Sequence, residues 1–263
     1  RLVCMGHMPR NEQETMKRMY RWMAGMALLL WPGLLCGATD DPLPQFPLNA
    51  EGNIEILGEG TTPLTRAEGM ERITEWMQQL GPITAIGLSS DARTGQLSAP
   101  CSRVIANETN DEGLFFEYLN YTVTVVCDDG RYAYRVGDVT AGIASYMDLD
   151  YDGSYELVNE DAIRLPDDYV NLLRSAESER EELRNELQSL IGQDLTELTA
   201  RQLRRYEQQL AEYTEWYTAV DDYCHMIRNN YMTCLEELTG TADTLRTLLS
   251  GRSGESIQLD PLP

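Results

Sequence analysis

The chain has 263 residues, of which 42% are hydrophobic and 24% are charged, and this composition supports a folded core. Its formal net charge is -22, and the residues from Thr39 onward include no lysine. A negative field of this size repels phosphate backbones and anionic lipid headgroups, so it argues against nucleic-acid binding and favours basic partners.

The N-terminal region has the three parts of a secretory signal peptide. Residues 1–15 precede this signal and are expected to be a misassigned start. A basic segment begins at Met16, an apolar run covers Met23–Leu35, and the small residues Cys36 and Ala38 follow. The run is shorter than the roughly 20 residues that span a bilayer, so we expect cleavage after Ala38 and export to the periplasm or the medium. A lipoprotein anchored at Cys36 is the less favoured alternative, because a bulky residue precedes that cysteine.

After a Pro-rich linker over 39–48, the sequence predicts an α+β domain over residues 46–145. A helix is predicted over Thr65–Leu80, where apolar side chains recur every three or four residues. Asp129 and Gly130 predict a tight hairpin between the last two strands. Strands joined by short turns form an antiparallel sheet, and one helix is expected to cover its apolar face as a half-sandwich. The strands are predicted at residues 53–59, 83–89, 96–106, 118–127 and 131–136.

Particular residues of this domain resemble an exported bacterial family. They are Phe46, Pro47, Gly52, Ile54, Glu55, Trp76, Asp91, Gly95, Tyr121, Thr122, Val123, Asp129, Gly130, Arg131 and Tyr132. Through them the chain resembles the domain of unknown function numbered 4468, which is described as having a TATA-binding-protein-like (TBP-like) fold. The resemblance implies a helix-backed antiparallel sheet and no activity, and the fold name does not imply DNA binding.

Residues 146–165 are predicted to be an acidic connector that contains the first half of a calcium loop. Three carboxylates alternate along the chain ahead of Gly153, so their side chains could converge on one ion, and a fourth acid follows. The twelfth position of such a loop is an asparagine here, and a simple acidic turn is the alternative interpretation. Calcium is the one cofactor that the sequence suggests. Its candidate ligands are Asp148, Asp150, Asp152 and Glu156.

The C-terminal region, residues 166–250, is predicted to be a helical hairpin or coiled-coil arm followed by a disordered tail over 251–263. Apolar residues three and four apart form a short seam before residue 192 and a longer one after residue 199. The shorter helix cannot cover the longer one, so the rest of the long seam is expected to pack on the sheet domain, on a partner protein or on a second copy. The candidate interaction residues are Tyr206, Tyr213, Tyr217, Val220, Ile227 and Tyr231.

No combination of residues predicts a catalytic centre. His225 is the single histidine beyond the signal segment, and no phosphate-binding glycine loop is present. The remaining cysteines, which permit disulfides without requiring them, are Cys101, Cys127, Cys224 and Cys234. The favoured hypothesis is a non-enzymatic envelope protein whose helical arm docks to a partner or to itself. The alternatives are a calcium-dependent structural module and a hydrolase of envelope polymers that uses paired carboxylates.

Overall fold

The computed structural model describes residues 42–81, 86–110, 113–148, 155–196 and 198–251. By its internal contacts the chain divides into two compact units. Of the described residues, the first unit, the sheet unit, comprises those within 44–170 and 228–251, and the second, the hairpin unit, includes those within 171–227. In chain order the elements are β1 (Ile56–Thr61), α1 (Arg66–Gln79), β2 (Ser89–Asp91), β3 (Gln96–Asn110), β4 (Gly113–Asp128), β5 (Arg131–Asp148), β6 (Tyr155–Ile163), α2 (Asp167–Ile191) and α3 (Ala200–Ser250).

The sheet unit contains one antiparallel sheet with the strand order β1-β5-β4-β3-β2. The sixth strand, β6, also pairs with β5. The first half of β5 pairs with β1 and the second half with β6, so these two short strands follow one another along the same side of β5. Asp138 separates the two halves and adopts a left-handed backbone with φ 52°. Such a residue interrupts regular pairing, and this allows one long strand to take two partners.

The sheet extends further than the sequence predicts. The expected turn over 107–113 is largely strand, because β3 continues to Asn110 and β4 begins at Gly113. The expected connector over 146–165 contains the end of β5 and the whole of β6. The strand expected over 83–89 is wrong at Ile86 and Gly87, which are helical. The unpredicted strand residues of β3 to β6 lack apolar alternation, and backbone pairing with the neighbouring strands makes them strands.

The helix α1 confirms the prediction for Thr65–Leu80 almost to the residue. The Thr65 hydroxyl accepts a hydrogen bond from the Glu68 amide, and the Glu68 carboxylate accepts one from the Thr65 amide at 2.8 Å. This capping box is formed by residues three apart in sequence, so it can be recognised without the tertiary structure. Hydrogen bonds from Thr65 lower the pKa of Glu68. The buried side of α1 presents Ile73 and Met77 to the core.

Two helices rather than one line the apolar face of the sheet. The C-terminal part of α3 contributes a second buried row that belongs to the same compact unit. The Tyr121 hydroxyl of β4 donates to Glu237 of α3 at 2.7 Å, and Arg103 of β3 pairs with the same carboxylate at 3.0 Å. The excess seam of the long helix is therefore covered by the sheet. The buried residues of this row are Tyr231, Cys234, Leu238, Ala242, Leu245 and Leu249.

The hairpin unit confirms the predicted pair of seams. The hydrophobic seam residues of α2 are buried, and Arg180 in the same row donates to Asp221 of α3 at 2.9 Å. The helix α3 begins with a capping interaction like that of α1, because the Gln202 side chain accepts a hydrogen bond from the Thr199 amide. In the part of the chain that the structure describes, no helix is long and apolar enough to cross a membrane. The buried residues of α2 in this unit are Leu173, Ala176, Leu183, Leu187 and Leu190.

Candidate functional site

An open groove of about 800 Å³ lies between α2 and α3 within the hairpin unit. Both helices contribute to it, and α2 supplies most of the lining. The groove therefore exists only because the two helices pack as a hairpin. Its lining residues are Ser175, Ser178, Glu179, Glu182, Leu183, Asn185, Glu186, Tyr213 and Trp216.

The rim of the groove on α2 is negatively charged. Glu179, Glu182 and Glu186 follow one another at intervals of three and four residues, so they lie on the same side of the helix. The other polar lining residues are neutral, and no lysine or arginine is among the residues that line the groove. The rim can therefore attract a positively charged group without competition from a basic side chain of its own.

The α3 side of the groove is aromatic. The rings of Tyr213 and Trp216 are 6.4 Å apart between centroids and are tilted by 39°. Trp216 is 52% exposed, whereas Leu183 on the facing helix is buried. An exposed tryptophan beside a half-buried tyrosine is a large apolar surface, and carboxylates next to aromatic rings suit an alkyl ammonium or guanidinium group.

Exposed apolar residues continue along the same side of the hairpin. Tyr223 is 42% exposed and Met226 is 46% exposed, and they follow Trp216 by seven and ten residues. On α2, Leu172 is 45% exposed and precedes Glu179 by seven residues. Seven residues are close to two helical turns, so Leu172 and Tyr223 lie on the flank that bears the groove, and Met226 is the neighbour of Tyr223 three residues further along the helix. We call this surface the groove flank, and it comprises Leu172, Trp216, Tyr223, Met226 and the groove lining.

An ion pair in the interior of the hairpin sets the geometry of the groove. Arg180 and Asp221 face each other from α2 and α3, and the arginine side chain is 17% exposed. His225 Nε2 lies 3.7 Å from the same aspartate. Because this contact occupies a seam position, it fixes which residues of the two antiparallel helices come opposite one another. Arg180 and Asp221 therefore position the helices that form the groove, but neither residue is among those that line it.

Most of the candidate interaction seam is buried in the chain. Tyr206, Val220, Ile227 and Tyr231 are buried, and Tyr213 and Tyr217 are partly buried. Tyr213 is the single residue of this set that also lines the groove. The seam prediction therefore located the core of the arm rather than its accessible surface. The acidic rim of α2 was not predicted, although the spacing of its three glutamates is visible in the sequence.

Two of the four candidate calcium ligands, Asp148 and Glu156, lie at the paired ends of β5 and β6. Asp148 is the last residue of β5, and Glu156, the second residue of β6, pairs with its neighbour Met147. The backbone thus brings the two ends of the proposed loop to one end of a hairpin. Asp150 and Asp152 lie outside the described residues. Among the residues that are described, no three histidine, cysteine or acidic side chains form a metal-binding group.

Cys101, Cys127, Cys224 and Cys234 are all buried. Burial raises the pKa of Cys127, and burial together with nearby Glu117 and Glu237 raises that of Cys234 to about 12. A thiol with a raised pKa is a weak nucleophile at neutral pH, so Cys127 and Cys234 are structural residues. His225 is largely exposed on α3 and lies next to the hairpin ion pair.

No protein-family model matches the chain, and no curated protein matches it. Two solved structures are similar to it. One is a DUF4468 family protein from Bacteroides ovatus, with 14% identity and a TM-score of 0.29 over 71% of this chain and 90% of that chain. The other is a TBP-like protein from Parabacteroides distasonis, with 12% identity and the same TM-score over 68% of this chain and 96% of that chain. The family that the sheet-domain residues resemble thus occurs among the structural neighbours, while the antiparallel α+β fold itself follows from the strand order and helices described above.

Proposed function

We propose that the chain is a non-enzymatic binding protein of the cell envelope, and that it holds a positively charged partner in the groove between α2 and α3. The observation that carries this proposal is the exposed Trp216, which lies beside Tyr213 in a groove whose charged rim is entirely acidic. Large exposed aromatic surfaces with a polar rim are typical of binding sites. The net charge of -22 extends the attraction for a cationic partner beyond the groove.

Export of the protein rests on the signal-peptide pattern over 16–38, which lies outside the described residues. The buried thiols and the candidate binding surface are compatible with an envelope location. N-terminal sequencing of the native protein tests this part of the proposal. We expect the mature chain to begin at Thr39, and a native protein that retains Met16 in the cytosol would contradict it.

Binding in the groove is tested by removing its charge. Octalysine is the probe, and its affinity for the full chain is measured by calorimetry at low salt. Replacing Glu179, Glu182 and Glu186 by glutamine should weaken binding about tenfold, since each exposed charge contact contributes about 0.5 kcal/mol. Trp216→Ala should weaken it further through loss of the cation–π contact.

A matched variant separates groove binding from general attraction to an acidic protein. Glu59, Glu71 and Glu75 are exposed residues of β1 and α1. Changing these three to glutamine alters the net charge by the same amount as the groove variant. We expect a small loss of octalysine affinity in this control. Equal losses in the two triple variants would show that the groove is not the binding site.

A calcium-dependent structural role is a second proposal, favoured by the pairing of β5 with β6 around the acidic loop. An ion held by Asp148, Asp150, Asp152 and Glu156 would close this hairpin. We expect millimolar calcium to raise the melting temperature by several degrees over chelator, because a ligand at 100 times its Kd adds about 2.7 kcal/mol. Asp150→Asn combined with Asp152→Asn should abolish the shift. An unchanged midpoint in the native chain would refute the idea.

A further inference from the structure

We infer that the element that binds the groove is a basic amphipathic α-helix of a partner protein, which lies along the groove flank as the third helix of a bundle. The inference rests on the proposed function and specifies its ligand. It follows from the spacing of the exposed residues along the two helices, from the difference between the two flanks of the hairpin, and from charge.

The exposed residues of the groove flank repeat with helical periodicity. From Ser175 to Glu186 the α2 rim covers eleven steps, which is about 16 Å or three helical turns. The α3 side from Trp216 to Met226 has nearly the same length. Side chains spaced in this way meet a neighbouring helix by ridges and grooves, so cationic residues at positions i, i+3 or i+4, and i+7 come opposite the carboxylates.

The two flanks of the hairpin differ in character. By helical spacing, the flank opposite the groove carries polar residues, among them Glu181 and Arg184 of α2, which pair with one another. On α3 the same flank carries Thr214 and Thr218. Both flanks of a self-sufficient two-helix hairpin are expected to be polar. Among the described residues of the hairpin unit, the large apolar side chains that are exposed lie on the groove flank, and they therefore indicate the side on which a further helix packs.

Charge identifies the occupant as a different protein. A second copy would bring the same three carboxylates to the contact, and each copy has a net charge of -22. Like charges placed opposite one another in an interface disfavour association. A helix that presents lysine or arginine towards Glu179, Glu182 and Glu186, and apolar residues towards Trp216 and Tyr223, satisfies both parts of the groove flank.

Two peptides of identical composition test the inference. Each has 18 residues of lysine, leucine, glutamine and alanine, with capped ends. In the patterned peptide, lysines at i, i+3 or i+4, and i+7 form one face of a helix, and leucines at the same spacing form the adjacent face. In the scrambled peptide, the same residues are in random order. Binding to the full chain is measured by calorimetry, and peptide helicity is measured by circular dichroism with and without the protein.

We expect the patterned peptide to bind at least tenfold more tightly than the scrambled one and to gain helicity when bound. Tyr223→Ala should weaken the patterned peptide about fivefold, while Leu57→Ala, at an exposed site in the sheet unit, should have no effect. If the two peptides bind with equal affinity and both still depend on the groove glutamates, the partner is not recognised as a helix, and the proposed function is unaffected. If peptide affinity is unchanged by substitution of the groove glutamates and of Trp216, both the helical partner and the proposed function are contradicted.

Discussion

At the scale of single residues, Glu117 of β4 is an acid whose carboxylate has one buried oxygen without a hydrogen-bond partner among the described residues. The other carboxylate oxygen accepts a hydrogen bond from the Asn230 amide at 2.6 Å. Burial raises the pKa of Glu117, and the bond from Asn230 offsets part of that shift. The native fold therefore favours the protonated form of this side chain more than the unfolded chain does.

This predicts how Glu117→Gln changes stability with pH. Because the folded pKa is raised, the native state binds more protons than the unfolded state between the two pKa values, and stability from this group falls as pH rises through that window. The neutral glutamine does not titrate. We expect the variant to be more stable than the native chain at pH 7, by about 1 kcal/mol, and to lose that advantage near pH 4.

Urea unfolding at pH 4, 5, 6 and 7 provides the measurement, with the difference between variant and native chain taken at each pH. Glu75→Gln at an exposed position of α1 serves as the control. A Glu117→Gln advantage that stays constant over this range would contradict the assignment of the effect to titration.

At the scale of elements, the turn between β2 and β3 depends on Gly95. This residue has φ +70°, and its carbonyl accepts a hydrogen bond from the Cys127 amide of β4 at 2.8 Å. A side chain here would place its Cβ 2.0 Å from the Cys127 carbonyl oxygen. Both the backbone conformation and the close approach of β4 therefore require glycine. Gly52 shares the conformation, with φ +83°, but has no atom within 4 Å of its Cβ position.

The two glycines separate conformational strain from steric clash. Gly52→Ala should cost about 1 kcal/mol through strain alone. Gly95→Ala should cost clearly more, about 3 kcal/mol or above, because β4 must also move. Chemical denaturation of both variants measures the difference in unfolding free energy. Similar losses of stability would show that β4 accommodates the added methyl group without steric clash.

The elements also show which local features can be recognised in the sequence. The helix α1 was predicted from apolar side chains that recur every three or four residues, and the capping box of Thr65 and Glu68 that the structure shows at its start is equally local in sequence. The seams of α2 and α3 were predicted because apolar residues recur every three or four positions, and these residues are largely buried in the structure. The strand β6 was missed because its partner is β5 and its own side chains show no alternation. Strand pairing is decided by residues on another element.

At the scale of the whole molecule, charge opposes compactness. The chain carries 43 acidic and 21 basic residues, and some of its ion pairs, such as that between Arg93 and Asp91, have both side chains exposed. Exposed pairs contribute little, so repulsion among the excess carboxylates dominates the electrostatic energy of folding. The repulsion acts over the Debye length, which is about 30 Å at 0.01 M salt and about 8 Å at 0.15 M.

We therefore expect sodium chloride to stabilise the protein. Between 0.01 and 0.15 M the melting temperature should rise by a few degrees, and most of the gain should come in this range because screening is then nearly complete. Sucrose at matched osmolality controls for general solute effects. A melting temperature that falls with salt would mean that attractive ion pairs outweigh the net repulsion.

The sequence by itself determined the negative charge, the ends of α1, the two helical seams and the α+β class, because each depends on composition or on residues within a few positions of one another. The tertiary structure alone decided that a second helix covers the sheet and that apolar side chains on one flank of the hairpin remain exposed. The packing of the second helix on the sheet depends on partners such as Glu117 and Asn230, which are 113 residues apart. Periodicity shows that a helix has a buried side, but which other surface remains exposed depends on what packs against it.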